Sequence, residues 1–479
     1  MAEVAETDSR AAAAYRRRWL SLAVIVMTAV IIVIDTSVLN VSIPTLIDDL
    51  HTDIATVQWA ITGYALTFAT FLIVGGRLGD MFGHRRMFVI GATLFAVGSA
   101  IASTAQSIGV LIVGEAVIEG LGASLMLPAT TAILSRTFTG RERVRAFAAW
   151  GTTVGAASAF GPILGGYLTT YHSWRWGFRL NVMVAALAIA GAFAFMYDRR
   201  STGTRPRLDL VGAILVAVSA FSLIFGITAT GEQEWRLSLT SAVIAVIAIT
   251  LFVVFERSRE RSGGDPIFAF GDFRDPTFRV GVFTTSLQLM GHGAVIFVLP
   301  ILLQGVRGLS AFDSGLSVMP IGLCVVVGAQ LSTRVARRVG VTGVVRIGLF
   351  VATLGVMFTA IVSSFTLAFV ALLPGFVGYG LGFGLATSQL SNLVLGSVSP
   401  ARAGVASGTN STGRQIGSAL GVAISATLLS TGALGDRGPL ALGLATLALG
   451  AGACLAWRLP DTRTVATIDP AVDEAIEAI

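Results

Sequence analysis

Long apolar segments separated by short polar stretches run through nearly the whole chain. Because about 20 apolar residues are needed to cross a bilayer as a helix, the pattern predicts an all-α polytopic membrane protein with fourteen transmembrane helices. An even number of crossings places both termini on one side of the membrane. The predicted helices span residues 19–43, 57–76, 87–105, 108–134, 146–170, 178–197, 208–229, 238–256, 280–303, 313–332, 346–362, 364–396, 405–431 and 439–458.

The composition agrees with a membrane protein and excludes several other classes. The chain has 479 residues, of which 54% are hydrophobic and 13% charged, whereas soluble domains carry roughly a quarter charged residues. It contains no lysine, which excludes a Walker-type ATPase and a lysine Schiff base. No basic patch stands apart from the apolar segments, so nucleic-acid binding is not expected. Cys324 and Cys454 both lie in apolar segments, and we expect neither a disulfide framework nor a metal site.

The distribution of arginines predicts the orientation. Most of the 33 basic residues fall in the two tails and in the loops on the same side as the tails. Positive charge is retained on the cytoplasmic side, so both termini are predicted to be cytoplasmic. The predicted outer loops and helix ends carry few arginines, namely Arg175, Arg179, Arg236, Arg307 and Arg437.

A charged segment, Gly76–Phe88, separates two of the apolar segments. Its glycines permit a tight reversal between antiparallel helices, and its arginines hold the loop on the cytoplasmic side. Asp80 is a lone acid among bases and is expected to have a specific partner. The candidate residues of this loop are Gly76, Gly79, Asp80, Gly83, Arg85 and Arg86.

This loop resembles the signature between helices 2 and 3 of the major facilitator superfamily, from which it departs at Met81 and His84. A generic basic loop is the plainer alternative. Four further segments are similar to the fourteen-helix drug:proton antiporter branch of that family. They are Asp35–Pro44, with its D-x-x-x-x-N-V-x-x-P pattern, Gly161–Gly166 in helix 5, Trp174–Asn181, and the runs Ala403–Gly408 and Arg414–Gly417 in helix 13.

The resemblance implies two six-helix bundles with helices 7 and 8 inserted between them. An internal repeat supports this, because an offset of 257 residues maps Gly83 and Gly91 onto Gly340 and Gly348; chance similarity of two basic loops is the alternative. The predicted divisions are an N-terminal tail (1–18), a first bundle (19–197), an inserted pair with a cytoplasmic loop (198–279), a second bundle (280–458) and a C-terminal tail (459–479). Residues Arg257–Arg279 are expected to include an interfacial helix.

Five ionisable residues fall inside predicted helices, where a charge is costly unless it is paired or hydrated. Glu115 and Glu119 lie four residues apart on helix 4 and therefore share a face, where they would share a proton or hold a cation. The branch usually has arginine at Ala116 and glutamine at Glu119. The offset of 257 maps Asp35 onto His292, which predicts that both face one hydrated cavity. The plainer alternative for these four residues is hydrogen bonding between neighbouring helices.

Arg414 is expected either to partner the glutamates or to extend toward the interface, and the second is favoured. Three polar residues in the predicted helices are expected either to line the transport path or to form hydrogen bonds between helices. They are Gln288, Gln389 and Asn392. Helix 5 is expected to act as a seal or hinge because its proline removes a backbone bond and its glycines allow close approach. The residues concerned are Gly155, Gly161, Pro162, Gly165 and Gly166. Asp80 is expected to contact the positive N-terminal end of helix 13.

The resemblance implies a secondary transporter, not an enzyme, in the bacterial inner membrane. We expect it to export amphipathic, cationic drugs in exchange for protons by alternating access, as a monomer, and without a cofactor. Two alternatives remain. One is dedicated export of an endogenous metabolite, antibiotic or lipid; an anionic substrate would require Arg414 in the cavity. The other is a membrane receptor or membrane enzyme that transports nothing.

Overall fold

The computed structural model describes residues 18–138, 140–196, 209–231, 234–262, 270–398 and 403–460. Within these ranges the chain is built from helices and contains no β-strand. The long helices are α1 Arg18–Asp49, α2 Ile54–Phe82, α3 His84–Ser103, α4 Ile108–Thr137, α5 Gly140–Tyr171, α6 Arg175–Phe195, α7 Leu210–Gly231, α8 Trp235–Arg261, α9 Pro276–Gly305, α10 Ala311–Val339, α11 Val341–Ser363, α12 Phe369–Gly396, α13 Ala403–Ser430 and α14 Leu434–Ala456.

Eleven of these helices are long and apolar enough to cross a membrane, or twelve when the bent helix α2 counts as one span, over the described residues. The two remaining long helices, α5 and α13, are richer in glycine, serine and threonine. Each packs against both bundles: α5 contacts α1 and α10, and α13 contacts α2 and α9. A helix covered on two sides needs less apolar surface, which explains their lower hydropathy. Fourteen crossings therefore remain a prediction.

The first bundle (α1–α6) and the second bundle (α9–α14) share a large hydrophobic core at one end. There, Ile43 and Leu46 near the end of α1 belong to the same cluster as Phe297 and Leu302 near the end of α9. At the opposite end the cores are separate. Phe88 belongs to a core of the first bundle, and Val345 to a core of the second. The bundles are thus joined at the end where α5 finishes and α10 begins, called here the joined end, and the other end is called the separated end.

Two hydrogen bonds between the bundles also lie at the joined end. The amide of Gln304 donates to the Val41 carbonyl at 2.8 Å, and the Phe312 backbone N–H donates to the Thr170 hydroxyl at 2.9 Å. The separated end is the arginine-rich side of the sequence. The bundle arrangement is therefore open toward the side that the arginine distribution predicts to be cytoplasmic.

Helices α7 and α8 lie against the junction of the two bundles. Ala220 and Ile224 of α7 pack with Ala65 of α2 and Ala419 of α13. The amide of Gln58 donates to the Thr228 hydroxyl at 2.8 Å and fixes α7 to the first bundle. Helix α8 packs along α7, and most of its apolar side chains stay exposed, as expected of a helix that faces lipid.

The internal repeat is visible in the backbone. Gly83 ends α2 and starts α3 with φ 99°, and Gly340 ends α10 and starts α11 with φ 79°. Each donates its N–H to the carbonyl four residues earlier, at 2.9 and 2.8 Å. Only glycine adopts such φ values without strain. Both turns occupy the positions that the 257-residue offset predicts.

The prediction of an interfacial helix within Arg257–Arg279 is wrong for the residues that the structure describes. Helix α8 continues to Arg261, a single 3₁₀ turn covers Asp272–Arg274, and α9 already begins at Pro276. Residues 263–269 lie outside the described ranges. The aromatic residues of this stretch pack on one another instead, with the Phe273 and Phe278 rings 5.2 Å apart.

Candidate functional site

Three carboxylates meet inside the first bundle. One oxygen from each of Asp35, Glu115 and Glu119 lies within 4.8 Å of the other two. Asp35 is carried by α1 and the two glutamates by α4, and all three are buried, with at most 3% of their surface exposed. We call these residues the acid triad. The sequence predicted the pairing of the glutamates but not that Asp35 completes the group.

A π-helical turn in α4 carries both glutamates. The α-helical hydrogen bonding of this helix is interrupted over Val113–Glu119 and resumes at Gly120. The sequence predicted that Glu115 and Glu119 share one face of an ordinary α-helix. The structure places both carboxylates together on the π-helical turn, which is wider than an α-helical turn. Such turns are rare and occur mostly at functional sites, because they distort the helix at some cost in stability. Close packing accompanies the turn, since a Cβ added at Gly98 of α3 would lie 2.5 Å from the Gly114 carbonyl oxygen.

Asn181 of α6 connects the acid triad. Its amide donates to Oδ1 of Asp35 at 2.5 Å and to Oε1 of Glu119 at 3.0 Å. The sequence presented Asn181 only as the last residue of a family motif, with no sign of its role. Two other buried residues that the sequence did not single out lie nearby, Tyr64 beside all three acids and Ser99 beside Glu119.

The second carboxylate oxygen of each acid is buried without a hydrogen-bond partner among the described residues, and so is the Tyr64 hydroxyl. No arginine or histidine of the described chain forms an ion pair with the triad. The sequence analysis expected no metal site because both cysteines lie in apolar segments. That argument does not apply to a site made of carboxylates such as the acid triad. Carboxylate oxygens at this spacing suit a hard cation as well as a shared proton.

Replacing Asn181 by leucine is expected to lower transport at least tenfold. The change removes the donor shared by two buried carboxylates, and a hydrogen bond to a charged group contributes about 1.5–3 kcal/mol. Initial rates of substrate movement into inverted vesicles, normalised to protein amount, would measure this. Asn40→Ala is the matched control, because the buried Asn40 amide bonds only to the Thr36 carbonyl of its own helix. Equal rates for Asn181→Leu and the control would contradict the connecting role.

The second bundle holds a different set of groups at the equivalent position. His292 of α9 shares a hydrogen bond of 2.6 Å between its Nδ1 and the Tyr379 hydroxyl of α12. Its ring stacks on Phe383 with the centroids 4.3 Å apart. Arg414 lies on α13, which packs against α9, and its side chain is only partly buried. Tyr379 and Phe383 were not singled out from the sequence, because aromatic residues in apolar helices usually serve packing.

The structure separates several residues that the sequence grouped. Asp35 and His292 share no hydrogen-bond partner among the described residues, and the cavity common to both stays a prediction. Within the described ranges Arg414 forms no ion pair with the glutamates. The Gln288 amide donates to the Thr387 hydroxyl at 2.9 Å and that of Gln389 to the Ser332 hydroxyl at 3.0 Å. Both amides thus join helices, which was the plainer alternative. The remaining predicted residue is Asn392, which is exposed.

The loop around Asp80 is held within the first bundle. Oδ1 of Asp80 lies 3.3 Å from Nε2 of His84 and 3.4 Å from Arg136 of α4. Together these partners hold the pKa of Asp80 below its ordinary value. The predicted contact with the start of α13 stays a prediction, because residues 399–402 lie outside the described ranges. His84 is one of the positions where the chain departs from the family pattern, and it supplies a partner for Asp80 inside the same loop.

The other residues of this loop have local roles. A Cβ at Gly79 would lie 2.5 Å from the His84 ring, whereas one at Gly76 would have room, 3.6 Å from Pro128. Arg85 donates to the Phe193 carbonyl at 3.0 Å and tethers the loop to the end of α6. Arg86 is exposed. Tight packing is thus required at Gly79 and positive φ at Gly83, but neither at Gly76.

The glycines of α5 contact two different helices. At Gly161 and Gly165 the nearest atoms belong to Ser37 and Val38 of α1 in the same bundle. At Gly166 they belong to Ala311 of α10 in the facing bundle, and the carbonyl of Pro162 lies against Gly315 of α10. Gly155 has only a loose contact, 3.4 Å from Val326. This is the geometry expected of a seal between bundles, closed at the joined end and looser toward the separated end.

Two joined helical bundles, the first with three acids buried inside it, are the architecture of a polytopic membrane transporter. The chain belongs to the Major Facilitator Superfamily, whose family model matches residues 25–422. The lincomycin resistance protein of Streptomyces lincolnensis is 32% identical over 422 residues, which cover 86% of this chain and 85% of that protein. The tetracenomycin C resistance and export protein of Streptomyces glaucescens is 30% identical over 417 residues, covering 87% of this chain and 76% of that protein.

Solved structures agree on the fold. A POT family peptide transporter in an auto-inhibited form superposes with a TM-score of 0.66, covering 91% of this chain and 97% of that chain at 15% identity. At this identity the likeness concerns the arrangement of helices alone. By its family the protein is a multi-pass membrane transporter of a small molecule.

Proposed function

We propose that the protein exports amphipathic antibiotic-like compounds from the bacterial cytoplasm in exchange for protons, by alternating access across the inner membrane. Both termini are then cytoplasmic, and the proton gradient is the energy source. The observation that carries this proposal is the acid triad, buried inside a transporter bundle with no cationic partner in the part of the chain that the structure describes. The relatives named for antibiotic resistance and export support the choice of substrate class.

The charge of the triad supplies the coupling. At an effective dielectric constant of about 20, two carboxylates at 4.8 Å repel by about 3.5 kcal/mol. Three ionised acids are therefore unstable together, and the site must take up a proton or a cation. A protonated triad has no remaining attraction for a cationic substrate, so proton entry and substrate exit exclude one another. That exclusion is what couples the two movements.

A cationic amphipathic drug is the substrate that this argument favours, because it can neutralise the triad in place of a proton. Dedicated export of an endogenous antibiotic is the second candidate, favoured by the relatives whose names specify a single compound. The two differ in breadth: a multidrug exporter moves unrelated cations, whereas a dedicated exporter moves one compound and its close analogues.

The proposal is tested with inverted membrane vesicles containing the full-length protein and an imposed pH gradient. A fluorescent lipophilic cation should accumulate when the vesicle interior is acidic and should leave when the gradient is collapsed with a protonophore. Vesicles without the protein are the control. Accumulation that ignores the pH gradient but follows a sodium gradient would replace the proton by Na⁺, and no accumulation under either gradient would contradict coupled export.

A further inference from the structure

We propose that a cleft between the start of α9 and the end of α14 binds the headgroup of an anionic phospholipid. The cleft lies at the separated end, opens at the surface of the second bundle and has a volume of about 330 Å³. Two arginines and four apolar residues line it, namely Arg279, Arg458, Pro276, Val280, Phe283 and Leu455. The proposal goes beyond the proposed function, because it concerns the surrounding membrane and depends neither on the exported compound nor on the coupling ion.

The first support is the pair of arginine side chains. Arg279 lies in the first turn of α9 and Arg458 lies two residues beyond the end of α14, and both line the same cleft. Both are exposed, and among the described residues neither side chain has a hydrogen-bond or ion-pair partner. A guanidinium pairs with phosphate oxygens through two parallel hydrogen bonds. The cleft therefore offers two cations to one phosphate group.

The second support is that negative groups described beside the cleft are already engaged. Asp275, one turn before Arg279, accepts from two backbone N–H groups at the start of α9, at 2.7 and 3.0 Å. At the end of α14, Arg346 of α11 donates to the carbonyls of Ala456 and Leu459 at 3.2 and 2.7 Å. Those carbonyls carry the negative end of the α14 dipole. Both interactions reduce the negative potential around the cleft, which favours an anionic ligand.

The third support is the apolar surface that continues from each arginine along its helix. Phe283 stands one turn after Arg279 on α9, and 54% of its surface is exposed. On α14, the exposed Leu447 and Cys454 lie on the helical face that leads to Arg458. A phospholipid whose phosphate binds at the arginines would place its acyl chains along these side chains. A free anion would gain nothing from this apolar surface, so the arrangement favours a lipid.

The packing of α9 against α14 holds the two arginines in position. Val280, which lines the cleft, packs in the same hydrophobic core as Ala453 and Ala456 of α14. The helices are in close contact, because a Cβ added at Gly452 would lie 3.5 Å from the Cβ of Leu287. A preformed pair of cations costs less to order on binding than two independent surface side chains. Basic clefts between helices on the cytoplasmic side are typical headgroup sites, and the arginine distribution predicts that this end is cytoplasmic.

Native mass spectrometry of the purified full-length protein in detergent tests the cleft. The protein is titrated with phosphatidylglycerol, or with zwitterionic phosphatidylcholine that has the same acyl chains, and the affinities of the first lipid bound are compared. We expect the wild type to bind phosphatidylglycerol about tenfold more tightly. Arg279→Gln combined with Arg458→Gln should abolish this preference. Arg279→Lys combined with Arg458→Lys should retain part of it, because lysine keeps the charge but not the paired donors.

Arg334→Gln combined with Arg337→Gln is the matched control. Both arginines are exposed near the end of α10 at the separated end, so this variant loses the same charge outside the cleft and should keep the preference. Arg458→Gln alone should reduce the preference to about threefold, which gives a second reading if the double glutamine variant is unstable in detergent.

Equal affinities for the two lipids in the wild type would overturn the proposal, and so would a preference that survives the double glutamine change. Displacement of the lipid by inorganic phosphate alone at millimolar concentration would indicate a simple anion site and also overturn it. Residues 461–479 carry five acids and one arginine. A preference that appears only when the chain is shortened to end at Pro460 would assign the cleft to that acidic segment instead of a lipid.

Discussion

Replacing Glu119 by glutamine is expected to reduce proton-driven transport roughly 100-fold, within the range produced by removing a positioned proton-transfer group. Glu119 is completely buried, accepts from Asn181, and belongs to the acid triad. Glutamine keeps the size and can still accept that hydrogen bond, but it neither gains nor loses a proton. Exchange of labelled for unlabelled substrate without a gradient should continue, because it needs no net proton movement.

Initial rates of substrate uptake into inverted vesicles, with and without a pH gradient, measure both quantities. Glu115→Gln and Asp35→Asn should reproduce the loss, since any one of the three changes lowers the number of acids that share the charge. Glu234→Gln is the control, because Glu234 is exposed at the start of α8. A pH-driven signal that survives both Glu115→Gln and Glu119→Gln would remove the coupling role from the triad and leave the fold intact.

The second large effect is expected from Gly315→Ala in α10. A Cβ at Gly315 would lie 2.2 Å from the Pro162 carbonyl oxygen of α5, and backbone atoms cannot give way as a flexible side chain can. Overpacking of this kind costs about 2 kcal/mol, which would lower the population of the conformation closed at the joined end about 30-fold. Because alternating access requires this conformation once per cycle, transport should fall by a similar factor.

Gly166→Ala in α5 should act in the same way, as its Cβ would meet the Ala311 carbonyl oxygen at 2.4 Å. Gly151→Ala is the matched control in the same helix, because a Cβ at Gly151 meets nothing within 4 Å. Distances between spin labels placed on the two bundles at the joined end would report the change directly. Should Gly315→Ala transport like Gly151→Ala, the contact between α5 and α10 would not be part of the cycle.

Hydropathy and arginine placement were sufficient to predict the helices, because burial in lipid imposes a pattern on the sequence itself. The glycine turns at Gly83 and Gly340 were also predictable, since the offset of 257 residues between the two loops can be read directly from the sequence. Asp35, Glu115 and Glu119 stood out because ionisable residues are rare in apolar segments. Each of these inferences depends on a local property of the chain.

The errors concern which helix faces which. Periodicity shows that two residues share a face, but it does not show which helix lies opposite. The sequence therefore did not reveal that His84 and Arg136 of its own bundle lie beside Asp80, and the contact of Asp80 with α13 stays a prediction. Asn181 and Tyr64 escaped notice for the same reason, since nothing in α6 or α2 alone indicates that both meet the triad. The π turn of α4 likewise has no signal in the apolar pattern.

The twin glycine turns have a consequence for how a cargo is oriented. They show that the two bundles share one scaffold, yet the repeat places Asp35 in the first bundle where the second has His292. A duplicated frame with unlike contents has polarity. A cargo bound between the bundles is therefore expected to meet acids on one side and an imidazole with aromatic rings on the other, and to prefer one orientation.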